Sequence, residues 1–140
     1  ASIPTSEETR RVALELSLKH TERLLERVAA GGVREVILAD HVQDYLVRIT
    51  LATHPGGQFA PSITNQFIRW GSSPRGAQTL ALTAKVRALL DGRYNVSFED
   101  VRRVYLPAMR HRIIVNFEAQ AEGVSGDEVV REVVRAVQEP

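Results

Sequence analysis

The chain has 140 residues, the length of one domain with room for an appendage but not for two catalytic domains. At 44% hydrophobic and 25% charged residues it is a globular chain able to build a core, not a disordered or fibrous one. The absence of cysteine excludes disulfides, iron–sulfur clusters, cysteine-ligated zinc and a thiol nucleophile. No apolar run reaches the roughly 18 residues of a membrane span, and residues 1–11 lack the basic start and apolar centre of a secretory signal. The expectation is a soluble, cytoplasmic protein with no membrane partner. The first residue is Ala1 rather than methionine, which suits an excised piece of a longer protein.

A net charge of +1 hides an uneven distribution. Residues 1–61 hold seven Lys/Arg against eight Asp/Glu, residues 62–117 nine against three, and residues 118–140 two against six. The middle is therefore the anion-facing region. Only Lys19 and Lys85 are lysines; arginine is the better fork for carboxylate and phosphate, although genome composition produces the same bias.

Thr5 to Glu8 has capping-box spacing. Val12, Leu14, Leu16, Leu18, Leu24, Leu25 and Val28 then recur at mainly helical intervals up to Gly31-Gly32, giving one long helix or two broken near Lys19-His20. Val33 to Ala39 reads as a strand-like connector. Asp40 opens a helix with Val42, Tyr45, Leu46 and Ile49 on one face, ended by His54-Pro55-Gly56-Gly57. Residues 56–61 form a loop, and Ser62 to Trp70 holds one or two helical turns.

The strongest start signal follows: Ser73 can cap, Pro74 suits the first helical position, and helix formers run through Leu90 until Gly92. Ser97 to Asp100 caps a helix that turns Val101, Val104, Tyr105 and Ala108 inward and is perturbed by Pro107. Ile113-Ile114-Val115 reads as extended. Ser125 to Glu128 is a capping box before Val129, Val130, Val133, Val134 and Val137, β-branched residues whose helix must draw its stability from packing. The fold class is all-α: a small helical bundle with short extended connectors, with a seam at Gly31-Gly32 dividing residues 1–32 from 33–140.

No complete active site is encoded. Neither lysine follows a glycine as a phosphate-cradling loop requires, and there is no Gly-x-Ser-x-Gly elbow or His-Glu-x-x-His helix. His20, His41, His54 and His111 show no ligand spacing. Asp40, His41 and Asp44 share a helical start, but acidic residues belong in a first turn because of the helix dipole. No metal site is expected.

Gly71-Ser72-Ser73-Pro74-Arg75-Gly76 has a specific physical use. With Pro74 first in the helix, Arg75 lies in the first turn, where free N–H groups and the dipole favour an anion. A cation there is locally unfavourable. It is understandable if it answers a carboxylate or phosphate supplied from elsewhere, with Gly71 and Gly76 letting backbone approach closely; a solvated arginine at a helix start is the equal alternative. Arg110, His111 and Arg112 complement the negative end of the preceding helix.

These elements resemble, in order, the C-terminal helical lid of the MoxR-type AAA+ ATPases: Gly71-Ser-Ser-Pro-Arg-Gly-Ala77, Ala84 to Arg93, Val96-Ser97-x-x-Asp100-Val101, Leu106 to Arg112, and Glu122 to Val134. Magnesium-chelatase-type ATPases are more distantly similar. The resemblance covers about residues 36–137. It implies that Arg75 is the sensor-2 arginine reaching the γ-phosphate of ATP, with Ser73, Pro74 and Gly76 lining that turn. It also implies that Val36 and Ile37, in the Val36 to Tyr45 region, border the adenine side. Residues 1–32 would be the last helix or connector of an N-terminal α/β ATPase core, and 33–140 the lid. Longer spacing at His54 to Ser62 and Trp70 before the motif depart from the family pattern.

Walker A, Walker B, sensor 1 and the arginine finger are absent from the sequence, so this chain alone should not hydrolyse ATP; ATP and Mg2+ belong to the full-length parent. That parent would be a chaperone-like remodelling machine, a homo-oligomeric ring such as a hexamer, acting on a client protein. The alternative is an independent histone-fold-like module binding nucleic acid or protein, which the basic middle supports and the near-neutral total opposes.

Overall fold

The computed structural model describes residues 32–140 together with Glu8, Arg11, Val12, Leu14, Glu15, Leu16, Leu18, Lys19, Glu22, Arg23 and Glu26, which are helical. The expected cap at Thr5, the break beside His20 and the positions Leu24, Leu25 and Val28 lie outside the described residues. From there the elements run α1 Gly32–Glu35, α2 Asp40–Leu51, α3 Ser62–Phe67, β1 Ile68–Trp70, α4 Pro74–Leu90, α5 Phe98–Met109, β2 Ile114–Val115, α6 Phe117–Glu122 and α7 Gly126–Ala136. The class is all-α, as composition and periodicity indicate. No helix among the described residues is long and apolar enough to cross a membrane.

The Val33–Ala39 stretch is only in part the expected connector. Its first half makes the single turn α1, and Ile37 forms an isolated parallel bridge to Asn95. There Ile37 N donates to Tyr94 O at 2.6 Å and Val96 N to Ile37 O at 3.0 Å. In α2, Val42, Tyr45, Leu46 and Ile49 are buried as their spacing dictates, and Thr50 joins them by turning its hydroxyl onto Leu46 O at 2.9 Å. Ser62 to Trp70, expected to hold one or two helical turns, is helical to Phe67 and then extends. Ile68 pairs with Val115 and Trp70 with Ile114 in an irregular antiparallel ribbon.

α5 is the centre of the packing, lying against α4 on one side and α7 on another, with α2 against α4. The core is built from Tyr45, Ile49, Leu80, Leu89, Val101, Tyr105, Met109, Val129, Val130 and Val133. Val129, Val130 and Val133 are fully enclosed, which is how a valine-rich α7 overcomes its weak intrinsic propensity. Tyr105 is buried with its hydroxyl donating to Ile49 O at 2.7 Å. Burial pushes its phenol pKa up, so it remains a donor. α5 continues two residues beyond Pro107, near its end where few backbone bonds are lost.

Both predicted capping boxes form, at Ser97/Asp100 and Ser125/Glu128. Asp100 does more than cap. Its buried carboxylate accepts from Ser97 N at 2.8 Å and takes a bidentate pair from Arg93 at 2.7 and 2.8 Å; Arg87 Nε stands 3.7 Å away. Gly92, at φ 79°, supplies the left-handed turn that brings Arg93 back under the end of α4. Burial alone would raise the Asp100 carboxyl, but the bonds from Arg93 and Ser97 outweigh it and hold the pKa below its ordinary value.

Replacing Asp100 by asparagine should destabilise the fold by about 3 kcal/mol, because one partner of a buried pair is lost together with the cap. A folded pKa below the unfolded one gives stability that is complete above about pH 5 and fades as pH falls through the folded value. Urea unfolding across pH should therefore find the gap between wild type and Asp100→Asn narrowing in acid.

Candidate functional site

Pro74 is the first residue of α4 and Arg75 the second. Ser73 stands at the cap position but its side chain accepts no bond from the helix, in contrast to the cap expected there. Arg75 is exposed and makes no hydrogen bond or ion pair with any described residue. The helix therefore begins with its donor end open and a cation beside it.

The position of this turn is set by the end of α2. Thr53 Oγ1 donates to Thr50 O at 2.7 Å and accepts from Ser72 N at 2.9 Å. His54 Nε2 lies 2.7 Å from Ser72 O, an acceptor, so that nitrogen carries the proton. Thr64 Oγ1 donates to Ala52 O at 2.6 Å and ties α3 to the same stretch. Thr53, Thr64 and Ser72 are all buried, and each finds its partner in this cluster as burial demands.

Gly71 and Gly76 do permit close approach, but what approaches is the protein itself. A Cβ on Gly71 would lie 2.5 Å from Thr53 O and 2.9 Å from His54 Cγ. A Cβ on Gly76 would fall onto Ser72 Oγ and lie 3.4 Å from Arg112 Cδ. Beside the turn is an apolar recess of about 400 Å³ walled by Val47, Leu51, His54, Pro74 and Ala77.

Ser73, Pro74, Arg75 and Gly76 are thus brought together, whereas Val36 and Ile37 stand apart from them. These two meet residues 94–96, beyond the far end of a helix about 25 Å long. The Val36 side chain is in the core at 3% exposure, and Ile37 is 57% exposed. Arg110 and Arg112 do more than complement the end of α5. Arg110 pairs with Asp127 of α7 at 2.8 Å, and Arg112 donates to Thr79 Oγ1 of α4 at 3.2 Å. Sequence reading missed Thr53, His54, Thr64 and Ser72, whose partners carry no local signal.

Gly71→Ala should cost about 2 kcal/mol, since the added methyl meets carbonyl backbone that cannot swing aside. Thermal unfolding checks this, and an unchanged midpoint would mean that the 53–72 contact yields freely.

Residues 60–133 match the family model of the AAA lid domain. The chain is 30% identical over 118 residues to the chaperone MoxR1 of Mycobacterium tuberculosis, covering 84% of this chain and 30% of the relative. It is 31% identical over 134 residues to protein MoxR of Methylorubrum extorquens, covering 84% of this chain and 38% of the relative. In structure it is similar to a protein of Cytophaga hutchinsonii described as a candidate ATPase. The TM-score there is 0.73 at 28% identity, over 79% of this chain and 33% of that one. The chain spans about a third of the length of these relatives. A family model matching more than half of its residues makes this chain a member of the AAA lid domain family.

Proposed function

We propose that the chain is the C-terminal lid of a MoxR-type AAA+ ATPase and that Arg75 is its sensor-2 arginine. One observation carries this reading: a cation without a carboxylate partner, exposed at the uncapped start of a 17-residue helix. The dipole makes a cation there unfavourable, and an anion from outside removes the penalty. Guanidinium matches phosphate oxygens with a planar fork, so a phosphate suits this position.

ATP and Mg2+ held by an adjoining α/β core would supply the γ-phosphoryl group and the charge that develops on it during transfer. Arg75 then holds its donors against that charge, while Ser73, Pro74 and Gly76 fix the turn that carries it. The apolar recess beside Pro74 takes a nonpolar group from the core. Mg2+ ligation belongs to the core in this reading. Residues 1–32 are the core's last helix or connector and 33–140 the lid. The whole protein is a cytoplasmic homo-oligomeric ring, such as a hexamer, in which lid rotation couples hydrolysis to remodelling of a client protein.

Internal pairing weighs against the nucleic-acid alternative. Arg87 and Arg93 face Asp100, Arg102 and Arg103 face Glu99, Arg102 also pairs with Glu139, and Arg110 with Asp127. Five of the nine cations of the middle are thus paired with carboxylates within the fold, which reduces the charge left to meet a phosphate backbone.

In the full-length protein, Arg75→Ala should slow ATP hydrolysis about 100-fold, the scale for losing one donor to transition-state charge. Its unfolding midpoint should stay close to the wild-type value because Arg75 is exposed and makes no hydrogen bond or ion pair with any described residue. Wild-type turnover in the variant would remove Arg75 from the mechanism.

A further inference from the structure

Arg112 follows α5 but lies across the first turns of α4. Its Cδ lies within van der Waals reach of position 76, 3.4 Å from where a Cβ there would stand, and its Nη2 donates to Thr79 Oγ1 at 3.2 Å. Positions 75 and 79 are one turn apart on the same helix face, and helical side chains lean toward the N-terminus. The Arg112 guanidinium is therefore bonded on the helix face that also carries Arg75, one turn away. Its Nε is buried without an acceptor, and no carboxylate among the described residues pairs with either arginine. Of these two like charges the inner one is bonded to Thr79 and the outer one is exposed, and like charges on one helix face repel.

We infer that Arg112 is a positioning residue for Arg75: its stem fills the notch at Gly76, its bond to Thr79 fixes its guanidinium, and its charge keeps the Arg75 guanidinium extended off the start of α4. This rests on Arg75 acting in ATP hydrolysis. A Cβ at position 76 would fall onto Ser72 Oγ while only touching Arg112 Cδ, so glycine there leaves Ser72 its place beneath the Arg112 stem. It also gives the Arg110-His111-Arg112 cluster a use beyond ending α5.

The test is steady-state ATP hydrolysis by the full-length protein carrying Arg112→Met, Arg112→Lys, Arg75→Ala and the double variant Arg75→Ala with Arg112→Met. Methionine fills the same notch without charge or donor, so a role in packing alone predicts no loss. The inference predicts kcat down about tenfold with KM for ATP within about threefold, the pattern of an interaction used mainly beyond substrate binding. Arg112→Lys, which keeps stem and charge, should restore most of the rate. The double variant should be no slower than Arg75→Ala, since a residue acting through Arg75 has nothing left to act on. Wild-type kcat in Arg112→Met, failure of lysine to restore the rate, or losses that multiply in the double variant would each overturn the inference. Wild-type turnover in Arg75→Ala would overturn the sensor-2 reading and this one with it, and that arm alone distinguishes the two failures.

Discussion

The backbone of residues 71–73 has to pass in contact with the end of α2, and the placement of α4 depends on that contact. Ser72 is held from both sides, its N–H by Thr53 and its carbonyl by His54, while Gly71 lacks the atom that would push the two strands of chain apart. The energies are those of ordinary buried hydrogen bonds, each modest in net terms but costly to leave unmade. Together they decide where Pro74 starts the helix and therefore where Arg75 stands.

The opposite end of α4 is secured by different means. Gly92 reverses the chain, Arg93 returns to Asp100, and Asp100 also caps α5. One carboxylate thereby joins the last turn of one helix to the first turn of the next. α4 is a strut fixed at both ends, by neutral hydrogen bonds where the cation must stay free and by an ion pair where it need not. Under the function proposed above, such a strut would carry the state of a bound nucleotide to whatever the lid touches.

What was legible in the sequence was what is local. The boxes at Ser97/Asp100 and Ser125/Glu128 span three residues each and formed as read, as did the start at Pro74 and the buried face of α2. β1 was not read as a strand because three residues are too few to display a period of two, and only pairing with β2 extends them. The Ser73 cap failed for a related reason: residue type permitted it, but the tethering of Ser72 fixed the turn without it. His54 and Ser72 are 18 residues apart, and Arg112 and Thr79 are 33 apart. No periodicity records such distances, so the parts of the site that hold Arg75 in place were invisible while Arg75 itself was not.

The most direct measurement is a structure of the full-length protein with a non-hydrolysable ATP analogue and Mg2+. A guanidinium nitrogen of Arg75 is predicted within about 3 Å of a γ-phosphate oxygen, the range of a charge-assisted hydrogen bond. Arg75 directed to solvent, or paired with a carboxylate while the γ-phosphate is held by other groups, would contradict the assignment.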